Sequence, residues 1–481
     1  MINLDKLEEY RENNRIEAKT ALGGLPKSIW ETYSAFANTL GGVILLGVQE
    51  YKDKSFHLVD LPDPEGMKQE FWNAVNDPKV ASVNILSPDN IRIENVSGNH
   101  IIIIEIPRAG RTNRPVFVDG IPQHSYRRNG EGDYRCSHEE YQAMVRDASL
   151  RSNDMLVLEE MGMDVFEPES IHAFRQRMRI SRPGHIWENL GEREFLLQIG
   201  AAAAGDDGAI HPVIGGLLMF GTEKDIRRVF PQYSPVYQTG LTLPVSRDGS
   251  VSSSSGNWSG NVPDFYFRVC DKLRMDLRGL KNGIRFDEGS LFDVIREALA
   301  NCLVNADYFG KAGIRVIAAD DELMFSNPGT FRIDPGTAIA GGASDPRNSL
   351  LRNMFSLIGI GGGNGSGIPK LFRVWKEYGL PQPVITQSLD PDMTALTLSF
   401  LPDTESVTKQ TAGSEQIVTG RIKRRMIIDY LTEHIEASVP ELAAALGIKP
   451  SRVREHLRRL IREDVVVAEG DSQTCRYKLK S

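Results

Sequence analysis

The period of the apolar positions changes along the chain, and each change marks an element. Over residues 29–39 apolar side chains recur at helical spacing, which predicts a helix. Gly41-Gly42 ends it and lets the chain turn into a β-rich run, Val43-Ile44-Leu45-Leu46-Gly47-Val48. Residues 101–106 read as a buried strand, and 114–118 and 125–127 as a further strand pair. A helix over 137–147 opens on Ser137-x-x-Glu140, a capping box. Farther on, Leu217-Leu218-Met219-Phe220-Gly221 reads as a buried strand. Residues 246–261, rich in Ser and Gly and poor in apolar residues, read as a mobile loop. Helical periodicity returns at 296–308 and again at 368–378, with a strand and turn at Phe325-Ser326-Asn327-Pro328-Gly329 between them.

The last stretch has its own rhythm. A first helix over 426–432 turns Ile427, Ile428 and Leu431 inward. Ser438-Val439-Pro440-Glu441 opens a second helix with a cap, a tolerated first-turn proline and a capping-box carboxylate, and Gly447 stops it. A third helix over 451–462 faces the core with Val453, Leu457, Leu460 and Ile461. Val465-Val466-Val467 and Arg476-Tyr477-Lys478-Leu479 pair behind it as a wing.

The 481 residues, at roughly 150 per domain, suggest about three domains. The patterning divides the chain into 1–150, a connecting α/β region at 151–290, an α/β domain at 291–402, a Ser/Thr/Gly/Gln-rich linker at 403–420 and a module at 421–481. The fold class is α/β, a multidomain α+β chain. No apolar run approaches the roughly 18 residues that a membrane span needs, and the first residues lack a signal-peptide layout. A cytoplasmic protein is therefore expected. Cys136, Cys270, Cys302 and Cys475 are scattered without a C-x-x-C pair, which points to neither disulfides nor zinc. The net charge of −8 is not that of a chain coated for nucleic acid. Residues 421–481, however, hold 13 Lys or Arg against 9 Asp or Glu, so nucleic-acid contact is expected to be local.

Three groups of residues could carry chemistry. In Ile16-Glu17-Ala18-Lys19, strand geometry puts Glu17 and Lys19 on one face. With Glu12 and Glu50 nearby, three carboxylates and an ammonium could converge on Mg²⁺ or Mn²⁺ and a phosphate. Spacing alone equally describes a solvated charged face. Glu297, Asn301 and Asn305 recur every four residues and form one polar stripe, either solvent-facing or aimed at a metal–phosphate group. The glycine-rich run at 359–367 leads into a helix, a geometry that suits phosphate. On the third helix of the last module, Arg452, His456 and Arg459 point outward, toward DNA or toward a protein partner.

The first group sits in a longer pattern: Glu12-x-x-x-x-Glu17-x-Lys19, Ser34-Ala35-Phe36-Ala37-Asn38-Thr39-x-Gly41-Gly42, Gly47-Val48-x-Glu50, Arg114-Pro115-Val116 and Tyr126-Arg127-Arg128-Asn129-Gly130. This resembles the Schlafen/AlbA domain over residues 1–150. In ribonucleases of that family, the resemblance implies, Glu12, Glu17 and a third acid form a metal-dependent site assisted by Lys19. The third acid is Glu50 here, where those nucleases have Asp. Residues 290–402 resemble a GHKL ATPase. That resemblance places Glu297 and Asn301 on its N-box, beside Asn305 of the same stripe, and Gly363, Gly365 and Gly367 on its glycine box. Asn327 and Gly329 stand at the adenine position, where an Asp is usual. It implies ATP binding more than ATP hydrolysis. The last module resembles the winged helix of bacterial transcriptional regulators. Three functions follow as expectations: a DNA-binding regulator controlled by ATP, a metal-dependent endoribonuclease acting on tRNA or other RNA, or a non-catalytic scaffold. Self-association is left open.

Overall fold

The structure is a computed structural model. It describes residues 15–240, 250–278, 289–319, 321–361, 365–389 and 391–400 in one compact unit. In a second unit it describes 427, 430–431, 436–446, 450–462, 465–469 and 476–480.

The first part of the large unit runs β1 (Ile16–Lys19), α1 (Ile29–Asn38), β2 (Gly42–Leu46), β3 (Val48–Glu50), β4 (Phe56–Leu58), α2 (Pro64–Val75), β5 (Ile91–Val96), β6 (Asn99–Ile106), β7 (Tyr126–Asn129), β8 (Gly132–Arg135) and α3 (His138–Ala148). Its main sheet has the order β1-β2-β6-β5, parallel between β1 and β2 and antiparallel elsewhere. Ile44, Leu46, Ile102 and Ile104 pack toward α1 and α2, while Leu45, Ile101 and Ile103 pack on Ile16, Val48 and Phe56. A sheet buried on both faces is apolar at successive positions, which is why residues 101–106 carry no alternation.

Gly41, at φ +73, accepts the turn that ends α1, and a side chain there would strike the Ile106 carbonyl. Gly47, at φ +84, breaks the predicted strand in two, so Val48–Glu50 turns away to pair with Phe56–Leu58. The expected pairing of 114–118 with 125–127 is reduced to one antiparallel bridge, Phe117 to Ser125. β7 pairs instead with β8. The capping box on α3 forms as expected: Ser137 Oγ accepts from Glu140 N, and Ser137 N donates to Glu140.

Next come α4 (Pro168–Ser181), α5 (Glu192–Gln198), the hairpin β9 (Ala202–Ala204) and β10 (Ile210–Pro212), α6 (Ile214–Phe220), α7 (Glu223–Val229), β11 (Val236–Thr239), β12 (Val251–Ser252), α8 (Val262–Arg278), α9 (Ser290–Asn305), β13 (Arg315–Ala318), β14 (Glu322–Pro328), α10 (Pro335–Ala340), α11 (Ser349–Leu357), α12 (Gly367–Glu377), β15 (Val384–Leu389) and β16 (Asp392–Ser399). Leu217–Phe220 is thus helix and not strand. Every residue of α6 is buried, and a short buried apolar run has no period by which to tell the two apart. Gly216 lets α6 lie on the Ala201 carbonyl, where a Cβ would come within 1.9 Å.

The six-stranded sheet has the order β12-β11-β13-β14-β16-β15, so it reaches back across residue 290 for two strands. The Ser/Gly stretch is packed where it is described. Val251 pairs with Tyr237, Ser253 and Asn261 are buried, and Trp258 donates to Ser252. Ser252 pairs with Ser254, Ser255 with Asn257 and Ser259 with Asp264, which composition alone does not reveal.

In the small unit, helices Val439–Leu446 and Pro450–Arg462 pack with a three-stranded sheet of Glu436–Ala437, Arg476–Leu479 and Val466–Glu469. Ile427, Leu431, Leu442, Val453, Leu457, Leu460 and Val466 form its core. Ile461 was expected inward but is 39% exposed, one position off the buried stripe. The linker 403–420, Ile428 and Gly447 lie outside the described residues.

Candidate functional site

Helix α9 is buried on nearly every side. Leu299, Ala300, Leu303 and Val304 are buried, and Glu297, Asn301 and Asn305 are half-buried on one stripe. That stripe lines a cavity. Its other walls come from Asn327 and Gly329 at the end of β14, from Gly365 and Gly367 before and within α12, and from Thr394 and Leu396 of β16. The structure therefore brings Glu297, Asn301, Asn305, Asn327, Gly329, Gly365 and Gly367 to one place. Gly363 lies outside the described residues.

The glycines here are shaped by contact. A Cβ on Gly367 would stand 2.7 Å from Glu297 Oε1 and 3.0 Å from Asn301 Nδ2, so glycine lets the first turn of α12 lie against the polar stripe without displacing either side chain. Gly365, at φ +68, passes within 2.4 Å of the Ala343 carbonyl at its would-be Cβ. Asn305 spends its amide on the Asn301 carbonyl at 2.9 Å, while the Asn301 side chain makes no hydrogen bond among the described residues. Asn327 is buried and donates to the Pro328 carbonyl at 3.0 Å. Asn348 fixes the far end of α9 by donating to the carbonyls of Val304 and Ala306.

Arg332, Asp345 and Arg347 also line the cavity, and the sequence reading did not single them out. Arg347 is buried. It makes a two-pronged contact with Asp147, Nε at 2.9 Å and Nη2 at 2.8 Å, and also donates to the carbonyls of Asn305 and Thr330. Burial alone would lower the pKa of Arg347 and raise that of Asp147. Their mutual attraction outweighs it, so Arg347 is held above and Asp147 below the ordinary range. Gly329, at φ +93, leaves room for this guanidinium, since a Cβ would lie 2.3 Å from Arg347 Nη1. The pair joins α3 to the central sheet. Arg127 to Asp392 and Arg146 to Asp307, at 2.5 and 3.2 Å, bridge the same junction, as does Arg111 to Asp345. Four acidic residues spread over 245 positions give no local signal. Only the charged Asp345-Pro346-Arg347-Asn348 between two glycine-rich stretches hints at them.

In the N-terminal part, Glu17 and Lys19 do share one face of β1, with Lys19 Nζ 2.9 Å from Glu17 Oε1. The second Glu17 oxygen lies 2.8 Å from the buried Arg128, which also pairs with Asp133 at 3.0 Å. Glu50 ends β3 with Lys54 3.4 Å from its Oε1, an atom that is buried and accepts no hydrogen bond among the described residues. Among the described residues no group of three or more His, Cys, Asp or Glu stands close enough to hold a metal ion. Glu12 lies outside the described residues. The Ser34–Asn38 motif has a plain physical role. Ser34 Oγ donates to Val116 O and accepts from Tyr126 N. Asn38 donates to the Val116 and Tyr126 carbonyls and accepts from Val116 N, all at 2.7–3.0 Å.

In the small unit the capping box is present, with Ser438 N donating to Glu441 at 2.7 Å. Arg452, His456 and Arg459 all fall on helix Pro450–Arg462, along one side of the buried stripe Val453, Leu457 and Leu460. His456 is half-buried.

Comparison with known proteins gives four family matches. "Schlafen, AlbA_2" covers residues 12–137, a domain of unknown function covers 142–236, "Putative ATP-dependent DNA helicase recG C-terminal" covers 311–396, and "Winged helix-turn-helix DNA-binding" covers 421–467. No curated protein matches the chain. Among solved structures, the DIP2311 protein from Corynebacterium diphtheriae is 14% identical, with 97% of this chain and 94% of that chain covered and a TM-score of 0.39. The N-terminal domain of a "Putative ATP-dependent DNA Helicase RecG-related Protein" from Nitrosomonas europaea is 33% identical, with 28% of this chain and 90% of that chain covered and a TM-score of 0.22. No helix among the described residues is long and apolar enough to cross a membrane. In order along a mixed α/β chain, these matches give a Schlafen AlbA_2 domain, a recG C-terminal, ATPase-like domain and a winged helix-turn-helix.

Proposed function

We propose that the protein is a DNA-binding transcriptional regulator whose central cavity takes ATP with Mg²⁺. The observation that carries this reading is the single cavity in which the stripe Glu297, Asn301 and Asn305 meets the glycine-led start of α12. Its donor set fits the ligand. The Glu297 carboxylate and Asn301 amide are oxygen donors of the kind Mg²⁺ takes. The first turn of α12 offers backbone N–H groups to a phosphate. Asn327 faces the same space and can hydrogen-bond a base edge. Bound Mg²⁺–ATP would supply the negative phosphate charge that these groups are placed to hold. The reading is one of binding more than turnover. The winged helix supplies the DNA contact through Arg452, His456 and Arg459.

Binding to the folded state raises its stability by mass action. ATP with Mg²⁺ at millimolar concentration should therefore raise the melting temperature of the full chain and leave that of Asn301→Ala unmoved. A wild-type curve that does not move would mean a domain that keeps the fold without the ligand.

A second reading has one observation in its favour: the buried Glu50 Oε1 that accepts no hydrogen bond among the described residues. With Glu12 and Glu17 it would hold Mg²⁺ or Mn²⁺ in a ribonuclease site, with Lys19 on the phosphate. The engagement of Glu17 by Lys19 and Arg128 weighs against it, because a ligand carboxylate would have to leave those partners. Cleavage of labelled tRNA with Mn²⁺, lost in Glu17→Gln and Glu50→Gln, would support it. An intact RNA would leave Glu17 a structural ion pair.

A further inference from the structure

The layer between the AlbA_2 domain and the central domain is built on arginine. Arg111, Arg127 and Arg146 reach across it, and each finds a carboxylate of its own: Asp345, Asp392 and Asp307. Arg347, coming the other way, takes Asp147. Arg332 shares Asp147 and Asp345 with them, at 4.0 and 3.7 Å, which leaves two arginines without a carboxylate. Arg108 donates Nη2 to Thr330 Oγ1 at 3.0 Å, and its buried Nε has no acceptor among the described residues. Arg114 is 6% exposed, and its side chain makes no hydrogen bond or ion pair among the described residues, its Nε fully enclosed.

The charges around Arg114 do not supply what it lacks. The groups that act on it most are Arg108 and Arg347, which repel it, and Asp147 and Asp392, which attract it. Both carboxylates are already engaged, one by Arg347 and the other by Arg127. Burial, with Arg108 adding to it, pushes the Arg114 pKa down to about 9, so the group is still a cation near neutral pH. A buried cation with no counter-charge is costly, and an apolar residue of similar volume would fill the place without that cost. A planar fork of unused donors is the group that matches a tetrahedral oxyanion.

We infer that Arg114 and Arg108 form a binding site for a small phosphate-class anion in the layer between the AlbA_2 and central domains. Two guanidinium groups without carboxylates of their own suit a doubly charged anion better than a single carboxylate. The enclosure of Arg114 excludes a continuous nucleic-acid backbone and admits a small group. Free inorganic phosphate and the terminal phosphate of a mononucleotide share this chemistry. The site is separate from the nucleotide cavity, since neither Arg108 nor Arg114 lines that cavity. It is adjacent to it through Thr330, which lines the cavity and holds Arg108.

The test uses the full chain and calorimetric titration with inorganic phosphate and, separately, AMP without Mg²⁺, each against chloride at matched ionic strength. Wild type and Asn301→Ala should bind inorganic phosphate alike. Arg114→Met should weaken binding about tenfold or more, the scale for losing hydrogen bonds to a charged group, and should keep or raise the melting temperature in phosphate-free buffer. Arg108→Met should weaken binding as well. If Arg114→Met fails to fold, Arg114→Lys keeps the charge, removes the fork and is read the same way. Binding of AMP alone, lost in the Arg114 variant, assigns the site to a nucleotide's phosphate and supports the inference. No binding of either anion by wild type, or binding that survives in both arginine variants, would overturn it.

Discussion

Single residues at the cavity divide into those that hold the fold and those that keep the space open. Arg347 is of the first kind. Arg347→Met would leave Asp147 buried with Arg332 4.0 Å away as its remaining cation, and removing one partner of a buried pair costs about 3–5 kcal/mol. Urea denaturation of the full chain should show a loss on that scale. A loss under about 1 kcal/mol would mean the pair is solvent-screened and does not tie α3 to the central sheet. Gly367 is of the second kind. Its would-be Cβ meets the flexible end of Glu297, which can swing aside, so Gly367→Ala should cost under about 1 kcal/mol of stability. The same change should abolish the Mg²⁺–ATP shift in melting temperature, because the swing takes Glu297 out of the cavity. A variant that keeps the full shift would show that the fit of α12 to the stripe is irrelevant to binding. The stripe was legible in the sequence, since polar residues four apart stand out on an apolar helix. Arg347 was not, because its partner Asp147 is 200 positions away.

At the scale of elements, α1 shows why a motif can be visible before its reason is. Ser34 and Asn38 are polar residues on a buried helix, and they satisfy backbone groups of 114–118 and β7 that no strand pairing reaches. Asn38→Ala should destabilise the chain by about 2–3 kcal/mol, the cost of leaving buried donors and acceptors unmet. Chemical denaturation measures it, and a change within about 0.5 kcal/mol would mean that water takes over the role of the amide. The sequence pattern overreaches at 114–118, where only Phe117 and Val118 form bridges. It errs again at α6, where a buried helix of seven residues leaves no polar face to reveal its period. Gly47 splits the predicted strand for a reason that is local but ambiguous, because glycine within a strand pattern also marks a bulge.

On the scale of the whole molecule, the domain order was readable because each part carries its own pattern: carboxylates and a Ser-Ala-Phe-Ala-Asn helix, a polar stripe before a glycine loop, and a capped helix before a basic one. The arginine layer joining the first two was not readable, since it depends on residues far apart in the chain. The basic third helix should dominate DNA contact. Arg452→Ala and Arg459→Ala should each weaken duplex binding by the full chain about tenfold at low salt, and wild-type affinity should fall steeply with salt as counterions are released. Binding that ignores both substitutions would place the DNA contact elsewhere.

The central claim joins the cavity to the DNA contact, and coupling between two sites is reciprocal. The most direct measurement is the affinity of the full chain for a DNA duplex, by fluorescence anisotropy at fixed salt, with and without saturating Mg²⁺–ATP. A nucleotide-controlled regulator should show a change of about fivefold or more in affinity, the lower end for coupled sites. In Asn301→Ala the two curves should coincide. Identical DNA curves for wild type with nucleotide bound would contradict the account and leave the cavity and the winged helix as independent parts of one chain.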